Sequence, residues 1–218
     1  MHIRQETPAD YPVVYTLIKD AFASAEHCDG NEQDLAAALR QSTSFVPELS
    51  LVAEADGRIV GHILFTKIQI GTSTQLALAP LSVLPAFQGQ GVGSALVRQG
   101  HQIARDLGYS YSVVLGSETY YPRFGYVPAE QLGIQAPFPV PAENFMAAKL
   151  TEDAPPGGGV GQSARVLGIG RRPSRARGPA ARGGGRLYVC VSPRCSRSTW
   201  ITRLMPSVRY LPRWRTRK

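Results

Sequence analysis

All 16 acidic residues of this 218-residue chain lie at or before Asp153, but only 9 of its 24 lysines and arginines do. Residues 154–218 therefore carry the other basic residues and no acid. This glycine- and proline-rich segment has no sustained apolar period, so it cannot bury enough surface to offset the entropy lost on ordering. The sequence predicts a folded domain over residues 1–153 and a disordered basic tail over residues 154–218.

Three interpretations of this tail stay open. Its Arg/Gly/Pro/Ala/Ser composition is typical of a GC-rich gene read out of frame, and the abrupt loss of acids favours such an end. A basic extension without a set role is the second interpretation. The third is nucleic-acid binding through phosphate neutralisation and stacking on Trp200, Tyr210 and Trp214, and it is the least favoured.

The rest of the composition predicts a soluble, cytoplasmic protein. The N-terminus has no apolar signal-peptide core, and no run approaches the roughly 20 apolar residues that cross a bilayer, so no membrane partner is expected. Three cysteines do not make a disulfide framework. Cys190 and Cys195 have no His or further Cys nearby at ligand spacing, so no metal is expected.

Apolar periodicity predicts an α/β domain with a mixed, twisted sheet flanked by helices. One helix starts near Pro8, with an apolar stripe from Val13 to Phe22, and Asp56–Gly57 forms a hairpin turn. Pro80 interrupts an apolar run, which indicates a bulge or a splayed strand pair there. The predicted strands are 2–6, 49–56, 58–70, 75–85, 110–116, 126–129 and 144–150. The predicted helical segments are 9–22, 32–41, the part of 87–109 that follows its opening glycines, and a short turn of helix at 117–126.

The most informative motif is a glycine-rich turn, Gln88–Ser94, which follows an apolar strand and opens a helix. Unpaired N–H groups and the helix dipole favour a phosphate or pyrophosphate at such a position. Gly91 and Gly93 permit close approach of a ligand. The turn lacks the lysine of the Walker motif, and Ser94 stands where the Rossmann fingerprint requires glycine.

The turn reads Gln88-Gly89-Gln90-Gly91-Val92-Gly93, which matches the acyl-CoA signature Q/R-x-x-G-x-G/A of the GNAT superfamily. The later segment Tyr121-Pro-Arg-Phe-Gly125-Tyr126 resembles the Y-x-x-x-G-F/Y element of that family, closest to its YhbS-type branch. The resemblance covers about residues 1–150. It implies the GNAT fold, acetyl-CoA as co-substrate and transfer of the acetyl group to a primary amine.

The resemblance also implies roles for two segments. Backbone N–H groups in the turn would hold the pyrophosphate of CoA, while the preceding strand would contact pantetheine through its peptide groups. An N–H near Leu81 or Ser82 would polarise the thioester carbonyl, and a splay between this strand and 110–116 would admit the thioester. The implied cofactor-binding residues are Leu81, Ser82, Val83, Leu84, Gln88, Gly89, Gln90, Gly91, Val92, Gly93 and Ser94.

The implied general acid is Tyr121, because the family tyrosine lies four residues before the glycine, here Gly125. A phenol with a pKa of about 10 suits protonation of a departing thiolate. Tyr120 is the second candidate. The competing interpretation of Tyr121 is an aromatic side chain packed under a turn.

Several residues compete for the role of general base: Glu26, His27, Glu32 and Glu118. The acids between the first two helices could also attract a cationic amine, although a solvated acidic face is the simpler interpretation. We expect His62 and His101 to be structural or exposed.

Two other classes of function stay open. A GNAT fold that binds acyl-CoA as a sensor or scaffold would lack turnover, and a degenerate domain with a basic tail would bind nucleic acid. The acceptor, whether a small-molecule or a protein amine, is not indicated by the residues, and a homodimer is left open.

Overall fold

The computed structural model describes residues 1–23 and 30–154, and the backbone of residues 164–167. The base candidates Glu26 and His27 lie outside the described residues, as does Asp29, one of the acids between the first two helices. The two tail cysteines and the tail aromatics also lie outside them. The described helices are α1 (Tyr11–Phe22), α2 (Glu32–Arg40) and α3 (Val92–Asp106). The described strands are β1 (His2–Gln5), β2 (Phe45–Ala55), β3 (Arg58–Ile70), β4 (Ser73–Val83), β5 (Tyr111–Leu115), β6 (Tyr126–Pro128), β7 (Ile134–Gln135), β8 (Phe145–Lys149) and β9 (Ala164–Leu167).

Seven strands form a mixed sheet in the order β1–β2–β3–β4–β5–β8–β6. Only the β4–β5 pair is parallel within this order, and it is connected through α3. The turn between β2 and β3 has positive φ at both Asp56 and Gly57, as the hairpin prediction requires. The predicted α/β fold with a mixed sheet flanked by helices is confirmed.

Helices cover both faces of the sheet. Successive strand residues point to opposite faces, so Val52 packs against α1 and α2 while Ala53 lies on the α3 side. The α1/α2 face is closed by one apolar cluster: Val14, Leu17, Ile18, Phe22, Ala36 and Val52. On the other face α3 approaches closely, because Gly100 leaves room for the ring of Phe65. A larger side chain at this position would displace the helix.

The buried apolar face of the helices is narrower than their apolar periodicity predicted. Val13, at the edge of the α1 stripe, is 52% exposed, and Leu107 at the end of α3 is 45% exposed. Apolar spacing in α2 predicts that Leu35 and Leu39 face inward; Leu39 is buried, but Leu35 is only partly buried. The polar side chains of Glu32 and Gln33 are buried instead. Among the described helices, none is long and apolar enough to span a bilayer.

Two short strands had not been predicted. β9 lies within the predicted tail, yet it pairs antiparallel with Gln69 and Ile70 of β3 and parallel with β7. The sheet therefore does not end with the strand predicted at 144–150. The sequence also contains a strand-like run at 186–192 that could supply a last strand, and it lies outside the described residues.

Because β9 completes the edge beside β3, the position of a truncation should decide its effect. A chain ending at residue 153 should melt a few degrees lower than one ending at residue 170, since 1 kcal/mol corresponds to roughly 2–4 °C for a domain of this size. The chain ending at residue 170 should match the full-length protein. Thermal unfolding of the three chains measures this. Equal melting temperatures for the 153 and 170 ends would show that β9 adds no stability.

A buried histidine should make the fold sensitive to acid. His101 of α3 lies within 3.0 Å of the Tyr126 hydroxyl, and burial lowers its pKa to about 4. Below the ordinary value near 6.5, the unfolded histidine takes up a proton that the folded one does not. Stability should therefore fall as pH falls from 6.5 towards 4, by roughly 2 kcal/mol at pH 5.

Urea unfolding at pH 7.5 and pH 5 measures this change. Burial lowers the pKa of His62 as well, so it contributes in the same direction. A His101→Leu variant should consequently lose part of the pH dependence and keep the rest. A variant with the full dependence of the wild type would contradict the assignment to His101.

Candidate active site

An opening in the sheet lies at the carboxyl end of β4. Here β4 pairs with β5 at only two positions, Leu76 with Ser112 and Ala77 with Val113. Its pairing with β3 continues much further, to Val83. Across the described strands, the last part of β4 therefore has a hydrogen-bonded neighbour on one side only. This is the splay that the resemblance implied.

A bulge in β4 accompanies the splay. The register of β3 against β4 moves from Phe65–Leu78 to Ile63–Leu81, which places one extra residue in β4. The bulge includes Pro80, which has no N–H to donate to a neighbouring strand. The irregularity expected around this proline is thus observed.

Downstream of the opening, the chain turns into α3 through the glycine-rich segment. Gly89 and Gly91 have φ of +73° and +85°, and a side chain at either position would extend into open space. Gln88 donates from Nε2 to the carbonyl of Val83 at 3.0 Å, and Gln90 donates to Ala86 at 2.8 Å. The two glutamines tie the turn to the end of β4 and to its own start.

The first N–H groups of α3 lie at this turn. Gly91 caps the helix, and helical bonding begins where the Ala95 N–H donates to the Gly91 carbonyl at 3.0 Å. The N–H groups of Val92, Gly93 and Ser94 precede that bond, so helix geometry gives them no intrahelical acceptor. The predicted phosphate-binding residues are therefore together at one helix N-terminus.

Tyr120 stands beside the start of α3. A Cβ added at Gly93 would lie 2.6 Å from the Tyr120 hydroxyl, so glycine is needed for this approach. Burial raises the pKa of Tyr120, although Ser94 and two nearby arginines oppose the shift. Ser117 positions the tyrosine, since its hydroxyl accepts from the Tyr120 N–H at 3.2 Å.

The two arginines are Arg98 and Arg123, which sequence reasoning did not single out. The Arg123 guanidinium lies 4.3 Å from the centre of the Tyr120 ring, and that of Arg98 lies 5.7 Å from the centre of the Phe124 ring. Both positive charges act on the Tyr120 hydroxyl, which lies beside Gly93 at the start of α3. Arg98 follows the signature by one helical turn, which is the only sequence signal that could have indicated it.

Tyr121 lies deeper than its neighbour. Its side chain is 0% exposed, and its ring packs edge-on against Tyr120 at 5.2 Å and Tyr126 at 5.4 Å. Tyr126 is itself held by the Ser112 hydroxyl at 2.7 Å. Tyr121 therefore belongs to an ordered row of aromatic rings that runs from the α3 N-terminus into the core.

The described candidates for a general base differ in their surroundings. Glu118 is exposed and accepts from the Asn144 amide at 2.9 Å. Asp34 is not a base candidate but one of the acids expected to attract a cationic amine, and it accepts from the Tyr15 hydroxyl at 2.9 Å. Glu32 is only 4% exposed, and its Oε2 has no hydrogen-bond partner among the described residues. In this part of the chain, no group of three or more His, Cys, Asp or Glu side chains is placed to hold a metal ion.

Residues 12–126 match the profile of the Acetyltransferase (GNAT) family. The chain belongs to this family. It is 44% identical to the uncharacterized N-acetyltransferase YjhQ of Escherichia coli K12 over 128 residues, which cover 55% of this chain and 71% of the relative. It is 31% identical to the E. coli N-acetyltransferase YhbS over 157 residues, which cover 71% of this chain and 90% of the relative.

Solved GNAT structures share this fold. An acetyltransferase from Brucella melitensis in complex with acetyl-CoA superposes with a TM-score of 0.60 at 31% identity, over 78% of this chain and 95% of the other. E. coli YhbS in complex with CoA superposes with a TM-score of 0.66 at 28% identity, over 76% and 87%. Both the predicted family and its YhbS-type branch agree with these similarities.

Proposed function

We propose that this chain transfers an acetyl group from acetyl-CoA to a primary amine, which attacks the thioester directly. The observation that carries the proposal is the position of the β4 opening just before the glycine-rich N-terminus of α3. Only residues 84–91 separate them. A ligand with a phosphate group at one end and an extended arm at the other fits this arrangement. The similar structures from B. melitensis and E. coli hold acetyl-CoA and CoA, which supports the same ligand here.

The start of α3 would hold the pyrophosphate through the N–H groups of Val92, Gly93 and Ser94, with the helix dipole favouring negative charge. Arg98 and Arg123 add positive charge beside it. The open side of β4, from Leu81 to Leu84, would offer its peptide groups to the pantetheine arm. An N–H in this stretch would polarise the thioester carbonyl in the manner of an oxyanion hole.

In the transfer, the amine nitrogen bonds to the thioester carbon and the carbon–sulfur bond breaks. The amine loses one proton, and the departing thiolate gains one. We assign the second proton to the phenol of Tyr121, with Tyr120 as the alternative donor. The assignment is supported by the family spacing to Gly125 and by the row of rings that holds Tyr121 in place.

A thiol-release assay with acetyl-CoA tests the proposal directly. The acceptors should include small primary amines, a polyamine, an aminoglycoside and a lysine peptide, and calorimetry should measure acetyl-CoA binding in parallel. Binding together with amine-dependent thiol release is the expected result. Binding without release for any acceptor would instead indicate a non-catalytic acyl-CoA protein.

Glu32 is assigned to holding a cationic acceptor. A buried carboxylate oxygen without a partner is costly, and an ammonium group would satisfy it. Glu32 lies one helical turn before Ala36, whose apolar cluster reaches Leu84 at the end of β4. Glu32→Gln should raise the KM of a cationic amine roughly fivefold, or about 1 kcal/mol, and leave that of acetyl-CoA unchanged.

Asp34→Asn provides the matched control, because it removes an exposed charge from the same helix. Its amine KM should stay near that of the wild type. If both variants raise the amine KM equally, the effect comes from the overall negative charge of the helix, and the specific role assigned to Glu32 is wrong.

A further inference from the structure

A buried polar cluster lies on the α1/α2 face of the sheet, apart from the residues assigned above. Glu6 accepts two hydrogen bonds from Arg40, at 2.6 and 3.0 Å, and one from the Ser50 hydroxyl at 2.5 Å. The Nε2 of His62 lies 3.7 Å from the Glu6 carboxylate and 3.4 Å from the Ser50 oxygen. The side chains of Glu6 and His62 are both 0% exposed.

The other ring nitrogen of His62, Nδ1, is buried and has no hydrogen-bond partner among the described residues. The residue directly opposite on β4 is Ser82, and residues paired in this way share a face of the sheet with Cβ atoms about 5 Å apart. The Ser82 side chain is also buried, and its Oγ has no partner in the described structure.

These two buried polar atoms lie on adjacent strands, and each buried polar atom without a hydrogen bond costs about 1–3 kcal/mol. A water molecule or a polar substrate group between them would satisfy both. Ser82 also lies beyond Ala77, the last residue of β4 that pairs with β5. Leu81 and Val83 point towards Gly93 and the α3 face, so Ser82 points to the opposite one. A nucleophile entering from the α1/α2 face would therefore meet Ser82.

We infer that Ser82 and His62 form a relay that takes the proton from the attacking amine; this inference rests on the proposed acetyl transfer. As the nitrogen bonds to the thioester carbon, its N–H proton passes to Ser82 Oγ, directly or through one water. The Ser82 hydroxyl proton passes in turn to Nδ1 of His62 through a water molecule between the two side chains, which are not hydrogen-bonded to each other directly. His62 ends as an imidazolium and Ser82 as a hydroxyl, and the imidazolium returns its proton to solvent after product release.

The surroundings of His62 suit this role. With the Nε2 proton directed at Ser50 and Glu6, the Nδ1 lone pair is left to accept. Burial lowers the pKa of His62, so the ring is neutral at pH 7 and available as a base. The charged groups that face it are Glu6, which follows β1, and Arg40 of α2, while β2 and β4 present hydroxyls. Glu6 stabilises the imidazolium once it forms, and Arg40 holds Glu6 in place.

Two substitutions test the relay with the full-length protein and an acceptor that the wild type acetylates. Ser82→Ala removes one hydroxyl and keeps the backbone, while His62→Gln keeps a polar group towards Glu6 but cannot titrate. Each should lower kcat at least about tenfold with unchanged acetyl-CoA affinity. The double variant should lose no more than the worse single one, because the two residues act in series.

The pH dependence separates a relay from a merely structural role. Only the neutral form of an alkylamine can attack, and its pKa lies near 10. Below that pH, log kcat/KM should therefore rise by one unit per pH unit in every variant. In the wild type, protonation of His62 should add a second unit of slope at acid pH, below the ordinary histidine pKa near 6.5. His62→Gln should lose this second unit.

Thr66→Val is the control. Thr66 is another buried residue of β3 whose hydroxyl has no partner in the described residues, but it pairs with Ala77, where β4 still contacts β5. Its kcat and pH profile should match the wild type.

If Ser82→Ala keeps full kcat, the relay is wrong even should His62→Gln fail to fold. A wild type that binds acetyl-CoA but acetylates no amine would overturn the proposed function and the relay together, whereas normal turnover in both variants would overturn the relay alone.

Discussion

Replacing Tyr121 with phenylalanine should lower kcat roughly 10²-fold, the lower range for loss of a general acid. Thiolate departure would then lack its proposed proton donor, while the contacts proposed for the pyrophosphate at α3 would be untouched, so acetyl-CoA affinity should stay the same. Steady-state kinetics with calorimetry measure both quantities. Phenylalanine keeps the ring contacts with Tyr120 and Tyr126, so loss of the fold should not account for the result.

Tyr120→Phe provides the comparison, because the two hydroxyls lie at different depths. The Tyr120 hydroxyl stands against Gly93 and Ser94, where the pyrophosphate would bind. We therefore expect its loss to weaken acetyl-CoA binding more than it lowers kcat. If Tyr120→Phe loses turnover and Tyr121→Phe keeps it, the acid is Tyr120. If both variants keep full turnover, neither tyrosine acts as the acid.

The parts of the fold that the sequence predicted depend on local signals. Asp56–Gly57 specifies a hairpin through positive φ at adjacent residues, and a glycine-rich turn between a strand and an amphipathic helix specifies the start of α3. The short strands β7 and β9 carry no such signal. Their few residues become strands because they pair with each other and because β9 also pairs with β3, far away in the sequence.

The same distinction divides the candidate site. Its glycine-rich turn and its tyrosines form contiguous motifs that the sequence displays. The cluster of Glu6, Arg40, Ser50 and His62 does not, since Glu6 lies 34 residues from Arg40 and 44 from Ser50. Buried polar groups become recognisable only when strand register brings them together. For this reason the sequence could treat His62 only as a structural or exposed histidine.

Replacing Gly91 with glutamate should weaken acetyl-CoA binding at least about tenfold, or 1.4 kcal/mol. The residue caps α3, and the space beside it is open in the structure, so the new side chain would occupy the place assigned to the pyrophosphate. Its negative charge would also repel the phosphates. Calorimetric titration with acetyl-CoA measures the loss.

Gly91 has φ of +85°, so any side chain there also strains the backbone, by roughly 1–2 kcal/mol. Gly108→Glu controls for this cost. Gly108 has a similar φ of +82° and open space around it, but it follows the opposite end of α3, about 22 Å away along the helix. Both variants should melt lower than the wild type, yet only Gly91→Glu should lose acetyl-CoA. Equal affinity in the two variants would mean that the pyrophosphate does not bind at this turn.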